Sequence, residues 1–296
     1  MSGLKELIGK DINKYTITKY INSGSFGNVF EARHRKTGDI VALKMPIKTE
    51  ERNGEKSLLE EAKVYDNISS KENGIASMKV VKHKEQKVIV MDLLGSSLES
   101  LMVKYKRFKL INVIYLAIMM IDIMKYIHSC GYLHRDIKPD NFVLGINDEK
   151  DKLYCIDFGL AKRYLDKNSN HVAYKENHKF CGTARYASIA AHKGYEQSRK
   201  DDLESLGYLF VYMYKGKLPW QNVKHKDKNE RYRIIGERKE AISEEDLCSD
   251  MPREFLVYLK YVRNLDFDEK PLYTSCRNMF KRLYDSHNYT NDNLDW

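Results

Sequence analysis

The chain contains the stretch His134-Arg135-Asp136-Ile137-Lys138-Pro139-Asp140-Asn141, and Asp157-Phe158-Gly159 follows after an interval of fifteen residues. A phosphoryl group in transfer spreads negative charge over its oxygens, so that catalysis depends mainly on positioning and on neutralising this charge. Asp136 can accept the proton of an attacking hydroxyl and hold that hydroxyl in line. Lys138 can place a positive charge beside the γ-phosphate. The stretch therefore predicts a catalytic base and a cation for phosphoryl transfer.

The second motif adds the metal-binding part of the same chemistry. Asn141 and Asp157 offer hard oxygen ligands, which suit an Mg²⁺ ion that bridges nucleotide phosphates. Gly159 allows the backbone to turn sharply after the metal ligand. An isolated Asp-Phe-Gly is usually only a turn, but both motifs in this order and at this spacing predict an Mg²⁺-dependent phosphotransferase that uses ATP.

The N-terminal part of the chain contains a run that can clamp a nucleotide. Residues 15–21 alternate polar and apolar side chains, as a strand does, and lead into Asn22-Ser23-Gly24-Ser25-Phe26-Gly27-Asn28-Val29. This run resembles the glycine-rich loop of protein kinases, with Asn22 in place of the first glycine. Gly24 and Gly27 stand where the backbone must approach the phosphates, and asparagine tolerates a positive φ better than most residues. Because serine- and glycine-containing turns are common, the run alone is a weak signal.

A lysine that binds the α- and β-phosphates is predicted on the next strand. Val41-Ala42-Leu43-Lys44 is a short apolar run that ends in lysine and matches the corresponding kinase strand. Such a lysine needs a carboxylate partner on a following helix, and residues 55–67 have helical periodicity. Glu60 and Glu61 are the candidates, and the family match described below favours Glu61. The alternative for either glutamate is a solvated carboxylate on the helix surface.

Composition limits the remaining possibilities. The chain has 296 residues, 42% of them hydrophobic and 31% charged, which is ordinary for a globular enzyme of one or two domains. The net charge of +9 favours acidic partners, such as an acidic substrate, nucleic acid or an anionic membrane surface. The lysines are spread along the chain without a basic low-complexity arm. Nucleic acid is therefore the weaker inference and is not expected as a partner.

Cysteine spacing and the apolar segments indicate a reduced intracellular protein. The five cysteines are far apart and form no Cys-x-x-Cys pair, which argues against a zinc site or a disulfide framework. The N-terminus lacks the apolar region of a signal peptide. The most apolar stretch, residues 110–127, contains Asn112, Asp122 and Lys125, so we expect a core helix rather than a membrane span. We expect a cytoplasmic or nuclear monomer.

Periodicity divides the chain into two parts. Residues up to about 91 are predicted as strands 15–21, 28–34, 40–45, 78–81 and 88–91 with one helix, and helical periodicity dominates afterwards, at 110–130, 200–214, 253–264 and 275–286. We therefore predict a small β-rich lobe (about 1–91), a hinge at 92–95 and a larger, mainly helical lobe (about 96–296). Interdomain clefts commonly bind ligands, so a nucleotide is expected between the lobes, with the hinge backbone facing the adenine ring.

Several further runs are highly specific. They are Met91-Asp92-Leu93-Leu94-Gly95-Ser96-Ser97-Leu98-Glu99, Gly182-Thr183-Ala184-Arg185-Tyr186-Ala187-Ser188-Ile189, Glu196-Gln197-Ser198-Arg199-Lys200-Asp201-Asp202-Leu203-Glu204-Ser205-Leu206-Gly207-Tyr208, Leu218-Pro219-Trp220-Gln221 and the terminal Asp295-Trp296. On these runs the chain resembles the eukaryotic protein kinases along nearly its whole length, and within them the casein kinase I family. The related vaccinia-related kinases lack the Glu-Gln-Ser-Arg version and rank second.

The resemblance implies a single α+β catalytic domain over residues 1–296 with the bilobal protein kinase fold. It places Met91 at the gatekeeper position, makes Lys44 and Glu61 a catalytic pair beside Asp136 and Lys138, and gives Asp202 the structural role of bracing the catalytic loop. The nucleotide-binding residues that it implies are Asn22, Ser23, Gly24, Ser25, Phe26, Gly27, Val29, Ala42, Lys44, Met91, Asp92, Leu93, Leu94, Val143 and Ile156.

The resemblance also implies a substrate class. Casein kinase I enzymes favour a serine or threonine a few residues after an acidic or phosphorylated residue, and they bind that charge in a basic pocket. Arg185 and Arg231 fit this pocket, and Lys228 is a further candidate. Arg231 replaces the usual lysine, and arginine pairs bidentately with phosphate. The alternative for Arg231 is a solvated side chain in a mixed-charge run.

Three departures from the family pattern bear on activity. Asn22 replaces a loop glycine, Ala190 replaces the usual asparagine, and no extended tail follows Trp296. The last departure suggests either a constitutively active enzyme or a chain from which a tail has been trimmed. Between residues 157 and 188 no phospho-acceptor is positioned against Arg135. Thr183 is expected to form a hydrogen bond near Asp136 and Lys138 rather than to act as a regulatory site.

Three classes of function remain in view from the sequence. The first is a Ser/Thr protein kinase that acts on acidic or primed phosphoproteins. The second is a nucleotide-binding pseudokinase that acts as a scaffold, although such proteins commonly lose one of the catalytic residues that this chain retains. The third is a basic nucleic-acid-binding protein, which a salt series would reveal because phosphate contacts weaken steeply with salt.

Overall fold

The computed structural model describes residue 4 and residues 6–23, 27–49 and 52–287. The chain divides into two compact units, Met1–Gly95 with Val143–Gly159 and Ser96–Phe142 with Leu160–Trp296. The segment Val143–Gly159 thus groups with the first unit, although the sequence analysis placed it in the C-terminal lobe. Backbone hydrogen bonds explain this grouping, because Gly95 donates to the Leu144 carbonyl at 2.8 Å and Cys155 donates to the Gly74 carbonyl at 2.8 Å.

The first unit is built on a six-stranded antiparallel sheet with the strand order β1-β2-β3-β4-β8-β7. Its strands are β1 (Asp11–Ile12), β2 (Tyr15–Ser23), β3 (Gly27–His34), β4 (Ile40–Pro46), β7 (Met78–His83) and β8 (Gln86–Asp92). Tyr15, Ile17, Phe30 and Leu43 belong to the buried core on one side of the sheet. Tyr15 and Ile17 are two residues apart and therefore point to the same face, as the alternating pattern predicted.

Smaller elements complete this unit. β5 (Lys48–Thr49) pairs with β6 (Arg52–Asn53), and β10 (Phe142–Leu144) pairs with β11 (Leu153–Cys155). The helix α1 (Gly54–Ile68) follows β6 and buries one face, on which Leu58 and Ala62 pack against Ile89 of β8. Residues at this spacing lie one above the other on a helix. The helix predicted at 55–67 is therefore confirmed.

The second unit is mainly helical. Its helices are α2 (Leu98–Tyr105), α3 (Leu110–Ser129), α4 (Ile189–Lys193), α5 (Arg199–Lys215), α6 (Lys228–Ala241), α7 (Glu244–Leu247), α8 (Arg253–Arg263) and α9 (Tyr273–Ser286). Two short strands, β9 (Tyr132–Leu133) and β12 (Lys162–Arg163), pair beside them. Gly216 ends α5 in the left-handed conformation, with φ at +75°, as a helix-terminating glycine does.

The helix α3 lies at the centre of this unit and packs against α5 and α9. Among the described residues it is the one helix long and apolar enough to cross a bilayer, and 67% of its most apolar window is buried inside the protein. This burial agrees with the predicted core helix. A group of aromatic side chains fills the space between α5, α8 and α9, where the Phe280 ring lies 5.0 Å from Phe255 and 5.7 Å from Tyr258.

Replacing the central ring of this aromatic group is expected to destabilise the second unit. Phe280 is fully buried, so Phe280→Ala leaves a cavity and should lower the free energy of unfolding by about 3–5 kcal/mol. Urea denaturation measures the change. Val257→Ala serves as the control, because Val257 is 43% exposed on the neighbouring α8 and should change stability by less than about 0.5 kcal/mol. Equal effects of the two substitutions would contradict the packing described here.

Candidate active site

A buried ion pair lies at the centre of the first unit. The strand β4 carries Lys44, whose Nζ donates to Oε2 of Glu61 on α1 at 2.6 Å and to Oδ1 of Asp157 at 3.3 Å. Lys44 is 6% exposed and Glu61 is 1% exposed. Burial alone lowers the pKa of the Lys44 ammonium, but the two carboxylates outweigh it and the net pKa is raised. Lys44 is therefore held as a cation.

The structure separates the two candidate glutamates clearly. Glu60 points to solvent, its side chain is 60% exposed, and it pairs with Lys63 one turn further along α1. Glu61 lies on the buried face of the same helix. Because a helix places adjacent residues about 100° apart, only one of two consecutive side chains can face β4. The geometry pairs Lys44 with Glu61, the residue favoured by the family match.

The motif Asp157-Phe158-Gly159 is fixed by its central ring. Phe158 is 1% exposed and meets the buried ring of Tyr65 on α1 edge to face, with the centroids 5.0 Å apart. Asp157 has a left-handed backbone with φ at +64°. The turn predicted at Gly159 is therefore made at Asp157, whose short polar side chain tolerates this conformation. The buried ring on one side and Lys44 on the other orient the Asp157 carboxylate.

The glycine-rich run lies partly outside the described residues, which exclude Gly24, Ser25 and Phe26. Asn22 and Ser23 end β2, and the Asn22 side chain accepts a hydrogen bond from the Ser23 amide at 2.8 Å. Asn22 pairs with Val29 in the ladder between β2 and β3 and has no positive φ, so the tolerance of asparagine for that conformation is not needed. Gly27 begins β3, and a Cβ there would lie 2.7 Å from the Met45 carbonyl oxygen, which favours glycine.

The remaining residues predicted to bind the nucleotide lie in the first unit. Ala42 on β4 stands opposite Met91 on β8, so the two lie side by side in the sheet. The Asp92 carboxylate accepts from the Ser77 amide at 2.8 Å and binds Lys71 at 3.0 Å, which anchors the start of the predicted hinge. The other predicted residues are buried or half-buried, namely Val29, Leu93, Leu94, Val143 and Ile156.

In the second unit, the carboxylate of Asp136 is held from two sides. Lys138 Nζ lies 2.6 Å from Oδ2, and the Thr183 hydroxyl donates to Oδ1 at 2.6 Å. The Asn141 amide donates to the Asp136 carbonyl at 2.9 Å, which closes the loop on itself. Asp136 is 7% exposed. The predicted hydrogen bond of Thr183 near Asp136 and Lys138 is confirmed.

The Asp202 carboxylate holds the backbone of this loop by hydrogen bonds, in agreement with the bracing role predicted from the sequence. Its Oδ1 accepts from the backbone amide of Arg135 at 2.8 Å, and its Oδ2 accepts from that of His134 at 2.8 Å and from His128 Nε2 at 3.0 Å. Burial alone raises the pKa of the Asp202 carboxyl, but the hydrogen bonds and positive neighbours prevail and the net pKa is lowered. His128 is fixed in turn by the Tyr273 hydroxyl at 2.6 Å.

Two backbone features shape the approach of Thr183 to the loop. Arg135 has a left-handed backbone with φ at +64°, and its guanidinium donates to the Leu160 carbonyl at 2.9 Å. Gly182 has φ at +105°, and a Cβ there would lie 2.6 Å from the Arg135 carbonyl oxygen. Only glycine accommodates both the conformation and the contact. The glycine of the Gly182-Thr183 motif therefore allows Thr183 to reach Asp136.

The residues predicted for the anion pocket lie in two places within the second unit. The guanidinium of Arg185 lies over the Tyr212 ring at 5.5 Å and donates to the Tyr186 hydroxyl at 3.3 Å. Lys228 and Arg231 occupy the first turn of α6, and both lie over the Tyr232 ring, at 5.5 and 5.6 Å. Within the described residues no hydrogen bond, ion pair or ring contact joins Arg185 to these two residues.

Two buried side chains that hold the backbone of the candidate site, His128 and Lys239, were not predicted from the sequence. His128 lies in the last turn of the apolar helix α3, and a histidine within such a run is a usable signal for a buried polar contact. Lys239 lies in the charged helix α6, where nothing in the sequence distinguishes it from its solvated neighbours, yet it is fully buried.

Residues 15–278 match the family described as protein kinase domain. The match begins at the first residue of β2 and ends within α9, so it covers most of both compact units. The chain therefore belongs to the protein kinase family. The predicted α+β protein kinase fold is confirmed.

The ion pair of the first unit predicts a difference between two adjacent glutamates. Glu61→Gln removes the charge that holds the buried Lys44, and we expect kcat/KM for ATP-dependent phosphate transfer to fall by about tenfold or more. The matched Glu60→Gln removes an exposed carboxylate and should change kcat/KM by less than about twofold. Steady-state transfer to an acidic test protein, with ATP varied, measures both. A larger loss in Glu60→Gln would show that the wrong carboxylate has been assigned.

Proposed function

We propose that this protein is a Ser/Thr protein kinase of the casein kinase I type, which transfers the γ-phosphate of ATP to serine or threonine in acidic or already phosphorylated proteins. The observation that carries the proposal is the Asp136 carboxylate, which is ionically paired with Lys138 and accepts a hydrogen bond from Thr183. A carboxylate held in this way can orient a substrate hydroxyl and accept its proton. The casein kinase I motifs support the substrate class.

Each of these groups then has one task in the transfer. Lys44 binds the α- and β-phosphates, with Glu61 keeping its ammonium in place. Asp136 accepts the proton of the attacking hydroxyl, and Lys138 offsets the charge that develops on the γ-phosphoryl oxygens. The hydroxyl oxygen forms the new bond to phosphorus while the bond to the ADP oxygen breaks. The products are ADP and the phosphorylated side chain.

Asn141 and Asp157 have the chemistry of Mg²⁺ ligands. Asn141 uses its amide nitrogen in the hydrogen bond to the Asp136 carbonyl, which leaves its Oδ1 as the acceptor end of the side chain. Asp157 contributes a carboxylate oxygen. Both are hard oxygen donors, and Mg²⁺ is usually bound by one or two such side chains together with phosphates and water. When bound, the ion would supply positive charge to the nucleotide phosphates.

The substrate preference rests on Arg185, Lys228 and Arg231. A guanidinium has five N–H donors, so contact with a ring leaves donors for a phosphate, and Arg185 and Arg231 both lie over tyrosine rings. Lys228 and Arg231 also belong to the first turn of the fourteen-residue helix α6, where the helix dipole favours an anion. These features support recognition of a phosphate or carboxylate upstream of the acceptor residue.

Two matched serine peptides test this preference. One carries phosphoserine three residues before the acceptor serine, and the other carries alanine there. We expect transfer to the primed peptide to be strongly favoured, and Arg185→Ala or Arg231→Ala to lower this preference by about tenfold, because a charge-assisted pair is lost. Arg233→Ala is the control, since Arg233 lies on the same helix but pairs with Glu230 and Glu237.

Three other outcomes of the peptide experiment would change this assignment. Equal transfer to both peptides would keep the kinase activity and remove the phosphate preference. A preference that survives both arginine substitutions would assign recognition to other residues. No transfer to either peptide, despite nucleotide binding, would make the protein a scaffold rather than an enzyme.

A further inference from the structure

Three backbone carbonyls around Arg185 are held by two buried side chains. The Lys239 ammonium donates to the carbonyl of Ala184 at 2.8 Å and to that of Ala187. The indole N–H of Trp220 donates to the carbonyl of Arg185 at 2.7 Å. We call Lys239 and Trp220 the carbonyl clamp, and residues 184–187 the Arg185 segment.

Lys239 is an unusual residue for this position. It is fully buried, and burial lowers the pKa of its ammonium well below the usual range, although the Glu204 carboxylate opposes this shift. Its nitrogen lies 4.8 Å from the Tyr208 ring and 5.1 Å from the Trp220 ring, so ring faces and carbonyl oxygens replace water around it. Apolar side chains usually stabilise such a site at least as well as a buried charge. The lysine is therefore better explained by the backbone that it orients than by overall stability.

The clamp also ties the Arg185 segment to α6. Gly236 lies on this helix, and a Cβ there would be 2.8 Å from the Cβ of His192 on α4, so the two helices approach closely. Burial and the Lys239 charge lower the pKa of His192 to about 4, and its neutral ring donates through Nε2 to the Ala184 carbonyl at 3.1 Å. The carbonyl of Ala184 is thus held from both helices.

The helix that carries Lys239 also carries Arg231. The first turn of α6 presents Arg231 and Lys228, and the third and fourth turns present Gly236 and Lys239. The backbone of the Arg185 segment is therefore fixed against the same rigid helix that displays the other two cations. Because a bidentate arginine–phosphate pair depends on the direction of the guanidinium, a small shift of the segment would weaken it.

We propose that Lys239 is a positioning residue for phosphate recognition, which holds the Arg185 segment in the register that lets Arg185 bind the upstream phosphate of a substrate. This inference rests on the proposed function, and it assigns substrate preference to a residue that never touches the substrate. Trp220 acts in the same way through the Arg185 carbonyl.

The test compares kcat/KM for the primed and the alanine peptide, taken as a ratio. Lys239→Met keeps roughly the length of the side chain but removes both hydrogen bonds of the Lys239 ammonium, and we expect it to lower the ratio by about tenfold, mainly through a higher KM for the primed peptide. The control is Arg238→Met, which removes one charge from an exposed neighbour on α6 and should leave the ratio unchanged. Trp220→Phe removes a single donor and keeps a ring, so it tests the clamp even when Lys239→Met does not fold.

A double-mutant cycle separates positioning from general destabilisation. In an Arg185→Ala background, Lys239→Met should lower the ratio no further, because the residue through which it acts is gone. The inference is overturned by an unchanged ratio in folded Lys239→Met or Trp220→Phe, or by an equal loss in both backgrounds. A wild-type protein without primed preference contradicts the substrate class and this inference together. A wild-type preference that the clamp variants retain contradicts this inference alone.

Discussion

The buried Asp202 carboxylate accepts hydrogen bonds from two consecutive backbone amides, those of His134 and Arg135, and from the His128 ring. Arg135 has a left-handed backbone, which bulky side chains adopt only when the surroundings enforce it. Asp202 supplies this enforcement, because its two oxygens fix the peptide on the N-terminal side of Asp136. The direction of the Asp136 carboxylate, which we propose as the base, thus depends on a buried acid in the interior of the second unit.

Buried polar groups of the same unit also hold residues 182–187, the segment that carries Arg185. Gly182 allows close contact with the Arg135 carbonyl, Thr183 bonds to Asp136, and the carbonyl clamp holds the residues that follow. One continuous run of backbone, residues 182–187, thus links Asp136, the proposed base, to Arg185, the proposed phosphate-binding residue. In the first unit, the buried Glu61 carboxylate holds the Lys44 ammonium in position in a comparable way.

Local patterns in the sequence were enough to predict much of the fold and the pairing of Lys44 with a helix glutamate. The strands of the first unit and the long helices of the second follow from alternation and helical periodicity, and Glu61 follows from the family match. Backbone conformation was harder to predict from the sequence. The turn expected at Gly159 is made at Asp157, and Asn22 continues strand β2 without a positive φ. Lys239 could not be predicted, because only tertiary packing distinguishes a buried lysine from solvated neighbours. Spacing in the sequence likewise gives no distance between Arg185 and Arg231.

The most direct test of the account is single-turnover phosphate transfer from Mg²⁺-ATP by the wild-type protein and by Asp136→Asn, with nucleotide affinity measured separately. The asparagine keeps the shape of the side chain but cannot accept the proton of the substrate hydroxyl. We expect nucleotide affinity to be retained and the transfer rate to fall by about 10²–10⁴-fold. Transfer at the wild-type rate in Asp136→Asn would contradict the assignment of Asp136 as the base. A wild-type protein that binds nucleotide but transfers no phosphate would contradict the account as a whole.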